Sequence, residues 1–474
     1  MGFFDNILGN LPEVRGPTQK RLSFKEKMKW TGIVLVLFFI LGLIPLFGLG
    51  ANELSRFEFL SIILGAEFGS IISLGIGPIV TASIVLQLLN GSGIVKFDLT
   101  SHEGKKRFQG VQKMLSFFFI IFEAAIYVFM GGLSPASNLP SQMYLQMEIF
   151  LIIQIFIGGL LIMFMDEVVS KWGFGSGISL FIAAGVSKQI FIRALSWLPS
   201  PTNPDIATGA IPALFQSLGR GQPDTAILML STVVVTIVIF VMAVYGQAMK
   251  VEIPLSFGRV RGHGIRWPLA FIYVSNIPVI LIAALLANVQ LWASLMQNWA
   301  LKSGSAVINW ISIYIFGQIE TADAGHGLVQ WVNPPQIITS IVTNSLRWQD
   351  MYHALGYMVI LVAGSVVFGY FWVQTAGMDA RSQARQIMAS GLQVPGFRKD
   401  QRVLERLLDR YIGPLTIMGS IFVGILAASA DIMGALSNGT GILLSVMIIY
   451  RLYEDIAKQH MMDMNPLMKK FMGG

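Results

Sequence analysis

Cysteine is absent from the 474 residues, which excludes disulfides, thiolate metal sites and thiol chemistry. Charge is scarce too: Asp, Glu, Lys and Arg make up 12% of the chain against 54% hydrophobic residues, a balance no soluble domain of this size normally has. The five histidines, His102, His263, His326, His353 and His460, share no ligand spacing, so no metal site is expected and no cofactor is implied. HExxH, GxSxG, a P-loop and paired intramembrane aspartates are likewise missing, which argues against an intramembrane enzyme and leaves any driving force to a partner. What is present is a succession of long apolar runs rich in Phe and Met. The chain reads as a polytopic membrane protein.

At about 20 apolar residues per span, helices are expected near 30–49, 75–90, 112–131, 147–165, 176–196, 225–246, 268–289, 354–376, 411–430 and 438–456. The first run is long enough to span and follows a polar stretch, so no cleavable signal peptide is expected. Upstream, Phe3, Phe4, Ile7 and Leu8 suggest a short amphipathic segment on the membrane surface. With an internal N-terminus, 27 of the 33 Lys and Arg residues fall on the inner side, which fixes orientation by the positive-inside rule. Ala306 to Ile319 is apolar but short, and counting it would put seven basic residues of 381–410 outside, so it is read as an external interfacial helix.

The resulting fold class is an all-α polytopic membrane protein with ten transmembrane helices in two inverted five-helix halves. The expected organisation is an inner N-terminal segment 1–29, a first half 30–196, a Pro- and Gly-rich external hinge 197–224, a second half 225–457 and an inner tail 458–474. The second half carries inner loops 247–267 and 377–410 and an outer loop 290–350. One place departs from regular spans. Leu60 to Ile72 is too short to cross and holds Gly65, Glu67 and Gly69, and the next span opens on Gly75, Gly77 and Pro78. Irregular backbone at that depth must be shielded by protein or line a water-filled cavity, which points to a pathway through the membrane.

The stretches GIGPIVTASIVLQLL (75–89), GFGSGISLFIAAGVSK (173–188), GRVRG (258–262), YVSNIPVILIAAL (273–285), VPGFRK (394–399) and GTGILLSVMIIYR (439–451) stand in this order along nearly the whole chain. Together they resemble the SecY family, the large subunit of the Sec protein-translocation channel, in its archaeal or eukaryote-like rather than bacterial form. The resemblance implies a channel in the cell membrane, with both termini cytoplasmic, that passes unfolded secretory chains and releases transmembrane segments sideways into lipid. It also implies SecE-like and SecG/Secβ-like small membrane subunits, the ribosome, signal sequences and nascent chains as partners.

Carried across by motif, a constriction ring would comprise Ile76, Val80, Ile178, Ile182, Ile280 and Leu444. Branched aliphatic side chains suit that task because they dewet a narrow passage yet offer no hydrogen bond to a passing polypeptide. The plug would be the short half-helix 60–72, with Leu60, Ile63, Leu64, Gly65, Glu67 and Gly69. Thr81, Glu123 and Asn276 match positions at a lateral gate. Arg259, Arg261, Arg398 and Lys399 lie in the loops that dock the ribosome in this family, and like charges on a protruding loop suit rRNA phosphates.

A secondary transporter with inverted repeats is the rival reading. It would need ionisable groups near the midplane, and Glu123 and Lys188 are the two available for a proton relay.

Overall fold

The computed structural model describes residues 11–19, 22–52, 66–91, 94–95, 97, 101–136, 139–199, 206–257, 264–274, 277–303, 306–317, 327–389, 392–393, 400–437 and 439–464. Phe3, Phe4, Ile7 and Leu8, the plug positions Leu60, Ile63, Leu64 and Gly65, the gate position Asn276, and Arg259, Arg261, Arg398 and Lys399 lie outside the described residues.

Among the described residues, seven helices are long and apolar enough to cross a membrane: span 3 (103–129), span 4 (Ser141–Trp172), span 5 (Gly177–Leu195), span 6 (Pro223–Ala248), span 7 (277–300), span 8 (from Trp348) and span 9 (Gln401–Ile432). Span 1 (Phe24–Leu43), span 2 (Gly77–Gly91) and span 10 (Gly439–Met464) complete the expected set. Each predicted span has its helix, with shifted bounds that have local causes.

Span 1 starts six residues early because Ser23 and Glu26 form a reciprocal capping box, and its helix stops before Pro45. Span 9 starts ten residues early: Asp400 caps it by accepting from the Arg402 backbone N–H at 2.9 Å. Its added turns bury Leu404 and Leu408 against a second apolar core. Span 7 differs most from its expected place. Residues 268–270, expected to open its helix, are strand, and the helix runs Ile277–Ser303, well into the expected outer loop 290–350. The chain before it pairs in a hairpin, β3 (Lys250–Phe257) with β4 (Gly264–Ala270), and this cross-strand pairing takes up residues 268–270 before the helix starts.

The two basic loops, expected as separate features, form one platform. Strand β5 (Leu392–Gln393) pairs with β3, placing Gln393 opposite Ser256 and Leu392 opposite Phe257. Helix Ala380–Ala389 and the start of span 9 pack the same small core through Ala384, Ile387 and Leu404. At the opposite end, the expected interfacial segment begins as a short helix, Ala306–Trp310, and continues as a π-helix, Ile311–Phe316, exposing Val307, Trp310, Tyr314 and Ile315.

In lipid the hydrophobic effect does not drive helices together, so close packing of small residues must. A Cβ on Gly424 of span 9 would lie 3.0 Å from the Val362 Cα of span 8, and one on Gly419 would meet the Phe271 carbonyl at 2.8 Å. Spans 8 and 9 accordingly form the most extensively packed pair of the bundle.

Candidate functional site

The described part of the expected plug is not helical. Residues 66–76 run as consecutive turns, with Gly69 at φ 93° and Gly75 at φ 54°, a left-handed region in which a side chain is strained. The Ser70 and Ser73 hydroxyls donate to the Glu67 carbonyl and the Ser70 carbonyl, at 2.7 and 2.5 Å, which competes with helical bonding. The segment is tied to the end of span 1 by Leu46 N–H to Gly69 O, 2.9 Å, and Ile71 N–H to Ile44 O, 3.0 Å. Asn52 Nδ2 also donates to Phe68 O at 3.0 Å, while β1 (Leu49–Asn52) pairs with β2 (Leu133–Pro135). Ser70, Ile72, Ser73 and Leu74 are buried, so protein shields this irregular backbone as lipid requires. Room for it comes from span 4, where a Cβ on Gly158 would collide with the Ile71 carbonyl.

The six apolar residues singled out by motif come from spans 2, 5, 7 and 10 or their first turns. Ile76, Val80, Ile182, Ile280 and Leu444 belong to one buried apolar cluster, and half-buried Ile178 packs against it. Ile178 is held in place from a neighbouring span: its N–H donates to Asp166 Oδ1 at 2.9 Å. That bond caps the start of span 5, where Ser176 makes no side-chain cap. Val80, Ile178 and Ile280 line a cavity of about 440 Å³ whose other walls include Ser83, Gln87, Gln112 and Lys105. A polar mouth narrowing onto branched aliphatic side chains can admit a hydrated chain and still resist ion flow when closed.

Of the gate candidates, Thr81 and Glu123 are buried, Glu123 only 1% exposed. Thr81 Oγ1 donates to the Gly77 carbonyl at 2.9 Å and accepts from Asn288 Nδ2 at 3.0 Å. Asn288 escapes the sequence reading because the expected bounds of span 7 put it at a helix end. Seen mid-helix in ALLANVQLW, it would be an intramembrane amide in need of a partner. Span 5 meets the turn before span 10 through Gln189 and Ser437 at 2.9 Å, and span 10 itself through Ser187 and Ser445 at 3.4 Å.

Lys188 pairs with Glu67 at 2.5 Å, both side chains about two-fifths exposed. The two charges a proton relay would need are therefore not brought together: both Glu123 carboxylate oxygens lack a partner among the described residues. Another buried acid escapes the sequence reading. Asp431, near the end of span 9, accepts from the Tyr357 hydroxyl of span 8 at 2.8 Å.

The end of the bundle that carries the basic loops is also cross-tied. Glu167 accepts from Val14 N–H at 2.8 Å and pairs with Lys113, while Lys171 bonds Glu13 at 2.5 Å, which holds the Glu13 carboxyl below its usual range. The platform is not uniformly positive. Asp379, Asp400, Glu405 and Asp409 share a cleft with Arg381, Arg402 and Arg406. Chain leaves the described sheet at Phe257 and Gln393, adjacent strand positions, so the segments with Arg259 and Arg261 and with Arg398 and Lys399 spring from one support.

Among the described residues, the ten span helices and the shielded irregular segment before span 2 define a polytopic membrane protein. The chain belongs to the SecY family: that family's model matches residues 70–453. It is 44% identical to the protein translocase subunit SecY of Methanothermobacter thermautotrophicus, over 99% of this chain and 98% of that one. Two solved structures share the fold. One, of a SecY whose plug domain is described as stabilising the closed state of the translocation channel and maintaining a membrane seal, is 42% identical with TM-score 0.78, covering 96% of this chain and 97% of that one. The other, Sec61 in the canine ribosome-channel complex from the endoplasmic reticulum, is 41% identical with TM-score 0.75, at the same coverage.

Proposed function

We propose that this chain is the pore-forming subunit of a protein-conducting channel in the cell membrane, and that unfolded secretory polypeptides pass between its two halves. The observation that carries the reading is that Val80 of span 2, Ile178 of span 5 and Ile280 of span 7 line one polar-mouthed cavity, while Ile76, Ile182 and Leu444 are buried in the apolar core of the bundle. In it, Ile76, Val80, Ile178, Ile182, Ile280 and Leu444 form the constriction, and 60–72 is the plug. Thr81, Glu123 and Asn276 form the lateral gate, joined by Asn288 through its bond to Thr81. The halves are 30–196 and 225–457, inverted relative to each other about the hinge 197–224. The basic platform faces the cytoplasm with both termini and docks the ribosome through Arg259, Arg261, Arg398 and Lys399. SecE-like and SecG/Secβ-like subunits brace the exposed apolar faces of the bundle.

A photo-crosslinker at Ile182 and, separately, at Leu444 tests the central claim in membranes carrying a stalled secretory chain. Both sites should label the stalled chain, and labelling from neither would refute a path through this waist.

A further inference from the structure

The Glu67–Lys188 ion pair is absorbed by neither the ring nor the gate. Lys188 lies six residues beyond Ile182 on span 5, about 9 Å along the helix axis. It emerges on a wall whose next side chain, Gln189, is buried against Ser437, in the turn before span 10. Glu67 belongs to the turn-rich segment whose backbone is fixed by Ser70 and Ser73 and by the end of span 1. The ion pair is therefore a direct charged link between this segment and a helix that contributes two ring residues. Both side chains are about two-fifths exposed. An exposed pair is weak and readily exchanged for water, which suits a contact that must break and re-form in each cycle and does not suit a permanent brace.

We infer that the Glu67–Lys188 ion pair is a latch holding the plug segment against span 5, and that its strength sets how good a signal sequence must be to open the channel. The inference rests on the reading of 60–72 as the plug. A signal that intercalates at the gate must supply the free energy of unlatching, so weakening the latch lets poorer signals through. For a pair this exposed the change in opening equilibrium is about two- to fivefold.

The test uses the full channel complex in proteoliposomes, with resting ion conductance and translocation of a precursor carrying a defective signal as readouts. Lys188→Glu and Glu67→Lys alone should each raise both readouts about two- to fivefold, and the exchange Glu67→Lys with Lys188→Glu should return both to the starting level. Glu67→Gln and Lys188→Gln, which keep size and polarity, should give the same direction at smaller amplitude and serve where a reversal fails to assemble. Deletion of 60–65 is the control. If it raises conductance while the single variants do not, or if the exchange behaves as the sum of its parts, the latch is overturned. If the deletion leaves conductance unchanged, the plug reading falls and the latch with it.

Discussion

Asn288 Nδ2 donates to Thr81 Oγ1 at 3.0 Å across the contact between spans 7 and 2, with Asn288 only 4% exposed. An interhelical bond of this kind is worth about 0.6 kcal/mol on average and up to about 1.7 kcal/mol. That is enough to hold a seam shut and little enough to let it part.

Asn288→Leu and Thr81→Val should therefore each shift the stringency for signal sequences, and the double variant should do no more than the larger single. Translocation of graded signal variants reads this. Additive effects would mean that the two side chains act through different partners.

Gly158→Ala places a methyl group against the Ile71 carbonyl. Overpacking at such a contact costs about 1–3 kcal/mol, so the variant should unfold earlier on heating in detergent and leak ions at rest. Gly32→Ala, at a site with nothing within 4 Å, is the matched control and should be neutral or slightly stabilising.

Tyr357→Phe removes the hydroxyl that the buried Asp431 carboxylate accepts from. Losing a buried hydrogen bond to a charged acceptor should cost about 1.5–3 kcal/mol, read as a lower melting temperature of the complex. Pairing the change with Asp431→Asn should recover part of the deficit; no recovery would assign the cost to packing alone.

Arg261→Glu with Arg398→Glu should weaken ribosome binding most at low salt. For every phosphate left without its arginine, the slope of log affinity against log salt should fall by about one. Equal weakening at every salt concentration would refute an electrostatic dock.

The span pattern is legible in the sequence because about 20 consecutive apolar residues are a local property, and the motifs flanking Ile76, Ile178, Ile280 and Leu444 are contiguous along the chain. The true start of span 7 shows the limit. Residues 268–270 stand at the start of the expected span, and pairing with residues 250–252 makes them strand. That single shift conceals Asn288. The union of the two basic loops is hidden for the same reason, since β5 is two residues long and has no signal of its own without β3.

By itself the sequence determined a polytopic helical protein and its likeness to SecY, because composition and motif order are written along the chain. Only the tertiary structure decided that Lys188 meets Glu67 and not Glu123, that Asn288 meets Thr81, and that Asp166 caps the span bearing Ile178. Such choices depend on which faces of separate helices come together, and short-range periodicity carries no information about distance between residues far apart in the chain.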